Sequence, residues 1–221
     1  MGDMKYCDEH DGDSGSIRKK LCGFLLVLFI LLLITIFLIW VILRPSKPRI
    51  VLQDATIFSF NLASSPTGPN YLNATIQATI ACRNSNDRIG ILYERLDVVA
   101  LYNHQQITLQ TALPTGYQSP NDDVVWSPFL FSINSPIAPY LAAQLKQEQQ
   151  MKMVRLQIKM TGRIKWKVGA WMSGRYHLYA NCPAYIGFGS GQGQGQSGVV
   201  VGEGMKFQLA SGCGVDVGIG G

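Results

Sequence analysis

The chain has 221 residues, with 19 Lys and Arg against 14 Asp and Glu, for a formal charge of +5 spread along its length. With 47% hydrophobic and only 15% charged residues, it is not a disordered polyelectrolyte, and its modest, dispersed charge argues against a nucleic-acid partner.

Residues 1–20 form a short polar tail that holds Asp3, Asp8, Glu9, Asp11 and Asp13 and ends in Arg18-Lys19-Lys20. It is expected to be cytoplasmic and too short to fold alone. Residues 21–43, Leu21 to Leu43, are unbroken by any charge. As a helix of about 1.5 Å rise per residue they span roughly 35 Å, enough for a hydrocarbon core of about 30 Å. Trp40 lies near one end, where indoles favour the interface. A cleaved signal has a shorter apolar stretch of roughly 7–15 residues and then a small-residue site. Here the run meets the basic, proline-containing linker 44–49, Arg44-Pro45-Ser46-Lys47-Pro48-Arg49. The expectation is a single-pass transmembrane helix with the lipid bilayer as partner. Lys5, Arg18, Lys19 and Lys20 on one side face Arg44, Lys47 and Arg49 on the other, so charge alone only slightly favours a cytoplasmic N-terminus. Length does not separate the plasma membrane from an internal one. Cys22, at the membrane edge, is a lipidation candidate; a small apolar helix residue explains it equally well.

Residues 50–217 read as one domain, mostly of period two. Val51, Ala55 and Ile57, with the offset pair Phe58 and Phe60, mark a strand over 50–62. The turn Ser64-Ser65-Pro66-Thr67-Gly68-Pro69 follows. Leu72, Ala74, Ile76, Ala78 and Ile80 alternate with Asn73, Thr75, Gln77 and Thr79, a half-buried strand with Asn73 on its exposed face. Strands are expected over 91–102, 106–109, 124–133 (interrupted by Pro128), 154–160, 164–168 and 176–181. Residues 199–201 and 205–210 add short extended pieces. Ile137, Tyr140, Leu141 and Leu145 recur at helical spacing, so 136–151 is expected to be one helix inserted between strands. Residues 187–204 are a Gly/Gln-rich loop, and 218–221 are expected to fray. Many short strands and one helix point to an antiparallel β-sandwich.

No catalytic constellation emerges. Gly12-Asp13-Ser14-Gly15 copies the surroundings of a protease serine but sits in a short tail with no fold to build a triad. Gly193-Gln194-Gly195-Gln196-Ser197-Gly198 fits a dinucleotide fingerprint only in letters, without a βαβ unit. His10, His104 and His177 have no metal-ligand partner at useful spacing, and Asp122-Asp123 reads as a turn. No enzyme activity, cofactor or metal is expected. Asn73-Ala74-Thr75 is a glycosylation sequon, usable if the domain faces the lumen. Cys82, Cys182 and Cys213 allow at most one disulfide and leave one thiol. Arg163, Lys165 and Lys167 share one face of a strand whose other face is Ile164, Trp166 and Val168. Such a ribbon reads first as a solvated strand face, an edge guarded by lysine, and second as a surface for acidic lipid head groups or an acidic polysaccharide.

Asn84-Ser85-Asn86-Asp87-Arg88-Ile89-Gly90-Ile91-Leu92-Tyr93-Glu94 resembles the signature of the plant harpin-induced, disease-resistance-like proteins, membrane-anchored members of the late embryogenesis abundant group 2 superfamily. Val124-Val125-Trp126-Ser127-Pro128-Phe129-Leu130 and Ile164-Lys165-Trp166-Lys167-Val168-Gly169 are similar to two further motifs of that family. The likeness continues through Ser173-Gly174-Arg175-Tyr176-His177 to Cys182 and at Cys213-Gly214-Val215-Asp216-Val217. Ser85 departs from the family's usual proline. The resemblance implies a fibronectin-III-like sandwich outside the plasma membrane, a role in defence and stress signalling, and a Cys182–Cys213 disulfide. It leaves two partner classes in view: a protein or cell-wall component bound by the sandwich, or a lipid ligand carried in a groove between the sheets. In the signature itself, Asn84, Asn86 and Gly90 read first as turn-setting residues, with Arg88 as the side chain free to reach a partner.

Overall fold

The structure is a computed structural model that describes residues 14–42, 45–63, 69–187, 205–206 and 210–219. It divides into two compact units, Met1–Arg44 and Pro45–Gly221. In the first, α1 (Ser14–Ile42) is a continuous helix. Its segment Lys20–Phe37 is long and apolar enough to cross a membrane, and its described side chains are exposed. The helix starts seven residues before the apolar run, so the end of the tail is helical through the basic cluster. With no proline or glycine between Ile17 and Cys22, nothing interrupts the backbone hydrogen-bond ladder there. The Thr35 hydroxyl returns to the Leu32 carbonyl at 2.8 Å.

The second unit is an antiparallel sandwich. Its strands are β1 (Arg49–Ala63), β2 (Asn70–Arg83), β3 (Gly90–Tyr102), β4 (Gln105–Gln106), β5 (Thr111–Ala112), β6 (Tyr117–Gln118), β7 (Asp123–Trp126), β8 (Phe129–Ile137), β9 (Met153–Val168), β10 (Trp171–Met172), β11 (Tyr176–Gly187), β12 (Met205–Lys206), β13 (Ser211–Gly212) and β14 (Gly214–Ile219). Among the described residues, one sheet has six strands: β1 beside β2, β12 and β13 on the outer side of β1, and β7 and β8 on β2. The other has eight, in the order β14, β11, β9, β3, with β10 on β9 and β4, β5 and β6 on β3. Helix α2 (Pro139–Gln150) is inserted between β8 and β9, with Pro at its start and Leu141, Ala142 and Leu145 buried.

Period two drives the packing. The even residues of β2 from Leu72 to Cys82 and of β9 from Val154 to Trp166 turn inward, nearly all fully buried. The offset in the first strand has a structural cause. β1 bulges between Leu52 and Asp54 and again between Ile57 and Ser59, so its inward series runs Ile50, Leu52, then Ala55, Ile57, then Phe60. Each bulge inserts one residue and reverses which parity faces the core. β3 does the same between Tyr93 and Arg95.

Several expected boundaries change. The segments 154–160 and 164–168 are one strand, β9, because Thr161 and Gly162 continue the pairing to both β3 and β11. Of the residues 106–109 expected as a strand, only Gln106 lies in one, as the second residue of β4. The inserted helix starts at Pro139, Ile137 belongs to β8, and Tyr140 is exposed rather than part of the apolar face. Residues 218 and 219, expected to fray, pair with His177 and Tyr176 as the end of β14. The tail before Ser14, the turn 64–68, the loop from 188 to 204 with its extended piece 199–201, and residues 207–209 lie outside the described residues.

Candidate functional site

The signature Asn84 to Glu94 folds into a buried hydrogen-bond network. Asn84 is fully buried. Its Nδ2 donates to the carbonyls of Ile89 and Ser119 at 2.8 and 3.0 Å. Its Oδ1 accepts from the backbone N–H and the side-chain Nδ2 of Asn86 at 3.1 and 2.9 Å. Asn86 then clasps the linker: its Oδ1 accepts from the Ser46 N–H at 2.7 Å and its Nδ2 donates to the Ser46 carbonyl at 3.0 Å. Gly90 leaves room for a close approach, since a Cβ there would stand 2.3 Å from the Tyr117 hydroxyl oxygen and would have to displace the outer end of that side chain. Beneath lies Gln118, also fully buried. Its Oε1 accepts from the Tyr93 hydroxyl at 2.8 Å, and its Nε2 donates to the carbonyls of Cys82 and Asp122 at 2.9 and 2.7 Å. Burial pushes the Cys82 thiol up to about 11, with its contact to Tyr93 acting in the other direction. Burial likewise raises the Tyr93 phenol well above its usual range. Asn84, Asn86 and Gly90 therefore hold the fold together, and only Arg88 of that set is exposed.

The surface with chemistry to offer is the outer face of the eight-stranded sheet. Because β9 is one strand of 16 residues, its odd positions place Arg155 and Lys159 in line with Arg163, Lys165 and Lys167. At about 3.3 Å per residue the row runs roughly 40 Å. β11 alongside presents His177, Tyr179, Asn181, Pro183 and Tyr185, in register with Arg163, Thr161, Lys159, Gln157 and Arg155. Neither outer row contains an acid. The guanidinium carbon of Arg155 sits 5.3 Å from the Tyr185 ring centre, and His177 stacks on Tyr179 at 6.1 Å. The bordering carboxylates are occupied. Glu94 lies 2.5 Å from Lys165 and 3.1 Å from Arg175, Asp97 lies 2.6 Å from Arg95, and Asp216 lies 2.9 Å from Lys47. At the start of β9, Glu148 accepts the Arg155 backbone N–H at 3.5 Å. The hydrogen bond from Lys165, opposed in part by burial and aided by the charges of Lys165 and Arg175, holds the Glu94 carboxyl below its ordinary value. Lys159 and Arg163 are exposed and have no ion pair among the described residues. Three of these five cations are evident from the 163–167 alternation; dividing β9 into two strands hides Arg155 and Lys159.

The other singled-out residues are dispersed. Asn73 lies on the outer face of the opposite sheet, half-buried, its Oδ1 accepting from the Asn134 N–H at 2.6 Å and its Nδ2 reaching Asn134 Oδ1 at 3.3 Å. Cys182 and Cys213 are joined in a disulfide. Cys22 is exposed on α1. His104 occupies the β3–β4 turn at positive φ. Among the described residues no group of three or more His, Cys, Asp or Glu is placed to hold a metal.

Comparison with known proteins agrees with this architecture. The late embryogenesis abundant protein family matches residues 79–182, which run from β2 through most of β11. NDR1/HIN1-like protein 12 of Arabidopsis thaliana is 46% identical over 96% of this chain and 99% of its own length. NDR1/HIN1-like protein 1 of the same plant is 44% identical over 97% of this chain and 100% of its own. NDR1/HIN1-like protein 26 is 37% identical over 84% and 86%. An apolar N-terminal helix, a late embryogenesis abundant sandwich and near full-length similarity to these relatives place the chain in the NDR1/HIN1-like family.

Proposed function

We propose that this is a non-enzymatic, single-pass plasma-membrane protein of plant defence and stress signalling, with a cytoplasmic N-terminus and an extracellular sandwich that binds an acidic cell-wall polysaccharide. The observation that carries the binding half is the acid-free outer row of β9, where Arg155, Lys159 and Arg163 lie beside Tyr185, Tyr179 and His177 of β11. A flat, elongated, cationic strip suits an extended polyanion, with carboxylates on the cations and sugar faces on the rings. Family membership and the apolar helix support the membrane and defence setting. The Cys182–Cys213 disulfide and the Asn73 sequon both favour the oxidising side of the membrane for the sandwich. A glycan on Asn73 would leave the cationic face clear, because the two lie on opposite sheets.

Two measurements test this. In sealed microsomes, a C-terminal tag should be protected from protease and the chain should shift on glycosidase treatment; a digested tag overturns the orientation. In solution, Lys159→Glu with Arg163→Glu should weaken binding to polygalacturonate at least about tenfold, since two exposed charge contacts of ~1 kcal/mol each are lost. Unchanged affinity in that folded double variant overturns the assigned face. No specific observation favours a lipid carrier. Its groove lining would be accessible, whereas Leu52, Ile76, Ile80, Ile91, Leu130 and Ile158 between the sheets are all at 0% exposure.

A further inference from the structure

We propose that the β9–β10 hairpin is a membrane-contact element, in which Trp171 and Met172 enter the headgroup region of an anionic bilayer while Lys165, Lys167 and Arg175 meet lipid phosphates. The inference rests on the reading that α1 crosses a membrane.

The hairpin tip is built around Gly169, at φ +57, with Trp171 paired to Val168 and Met172 to Lys167. It is held in shape behind the tip: the Ser173 N–H donates to the Trp166 carbonyl at 2.9 Å and the Trp166 N–H donates to Ser173 Oγ at 2.9 Å. Trp171 is 64% exposed and Met172 50%, whereas Trp126 and Trp166 are 7% and 4% exposed. An indole combines a large apolar body with one N–H donor, the combination that favours a membrane interface. The methionine next to it offers a sugar only a weakly accepting thioether and gains from an acyl boundary.

Cations form a collar behind the tip. Lys167 stands 4.9 Å from the Tyr117 ring centre, and Lys165 and Arg175 share Glu94. Three cations against one carboxylate leave a net two positive charges beside the tip, complementary to lipid phosphates. The hairpin also lies at the end of the sandwich where the chain enters it. Lys167 pairs with Gly90, and the segment leading to Gly90 holds Ser46 through Asn86. Ser46 is four residues beyond Ile42, the last residue of α1, a reach of at most about 14 Å of chain. Chain length and charge complementarity together select a bilayer with anionic headgroups as the occupant.

The test uses the full chain in phosphatidylcholine–phosphatidylserine vesicles doped with brominated phosphatidylcholine, a contact quencher of tryptophan. Wild type should lose more emission than Trp171→Phe, and the excess should shrink in vesicles lacking phosphatidylserine and in Lys165→Ser/Lys167→Ser. The quenching that remains in Trp171→Phe reports Trp40, inside the apolar run, and so reads the anchor separately. Quenching of Trp40 with no excess in wild type overturns the hairpin inference alone. No quenching in either chain overturns the anchor reading and this inference with it. An emission shift of Trp171 with soluble polygalacturonate, without quenching by bromolipid, overturns it and assigns the tip to polysaccharide.

Discussion

At the scale of single residues, the signature acts mostly by leaving no room and no unpaired group. Asn84 and Asn86 satisfy backbone groups of three other residues, Ile89, Ser119 and Ser46, and the N–H of Asn86 itself, and each such group left unpaired in the interior costs about 1–3 kcal/mol. Gly90 makes space for the Tyr117 side chain, whose hydroxyl oxygen and two ring carbons lie within 2.5 Å of where a Cβ would be. Gly90→Ala should therefore lower stability by about 1–3 kcal/mol in thermal unfolding, with Tyr117 displaced from Lys167. Adding Tyr117→Ala should recover most of the loss, because Tyr117 is 49% exposed and its removal vacates the space. Gly162→Ala offers a contrast. There a Cβ meets the Arg95 carbonyl oxygen at 2.5 Å, and backbone in a sheet cannot be trimmed away.

At the scale of elements, the last strands cross between the sheets. β13 pairs with β1 of the six-stranded sheet, while β14 pairs with β11 of the eight-stranded one. Cys213 lies between them, donating its N–H to the Ile50 carbonyl at 3.0 Å, and its disulfide to Cys182 fixes the crossing onto β11. The two cysteines are 31 residues apart, so by loop-closure entropy the bond is worth about 3–4 kcal/mol. Cys182→Ala/Cys213→Ala should lower the unfolding midpoint accordingly and speed hydrogen exchange in β14 before the central strands β9 and β3. Equal exchange rates in the two chains would show that strand pairing alone holds the edge.

At the scale of the whole molecule, the +5 charge is less telling than its arrangement. The five cations of β9 have Glu94 as their one carboxylate partner among the described ion pairs. The Glu94 carboxyl is held below its ordinary value chiefly by Lys165. A lowered acid stabilises the fold above its unfolded value of about 4.3 and loses that contribution as pH falls through its folded value. Protonation also releases Lys165 and Arg175. Bromolipid quenching of Trp171 in vesicles carrying a sulfated lipid, whose own charge does not titrate there, should thus rise as pH falls through that point. Glu94→Gln should raise it at neutral pH by roughly threefold and remove that part of the pH dependence; an unchanged profile would detach Glu94 from the membrane-contact element.

Much of this was legible in the order of residues. The apolar run, the alternation of β2, β3, β9 and β11 and the helix before β9 are local patterns, set by which side chains must leave water within a few residues of one another. The same alternation identified Arg163, Lys165 and Lys167 as neighbours, and the motifs around Asn84, Trp126 and Trp166 identified the family. Other features depend on pairing between distant segments, which no local period encodes. The bulges that reverse the parity of β1 and β3, the continuity of β9 that adds Arg155 and Lys159 to the row, and the burial of Gln118 against Tyr93 and Cys82 all arise that way. So does the hold of Asn86 on Ser46, 40 residues away. The sequence by itself determined the apolar helix, most of the strands and the kinship; the tertiary structure alone decided register, because strand pairing is chosen by the summed burial and hydrogen bonding of both partners at once.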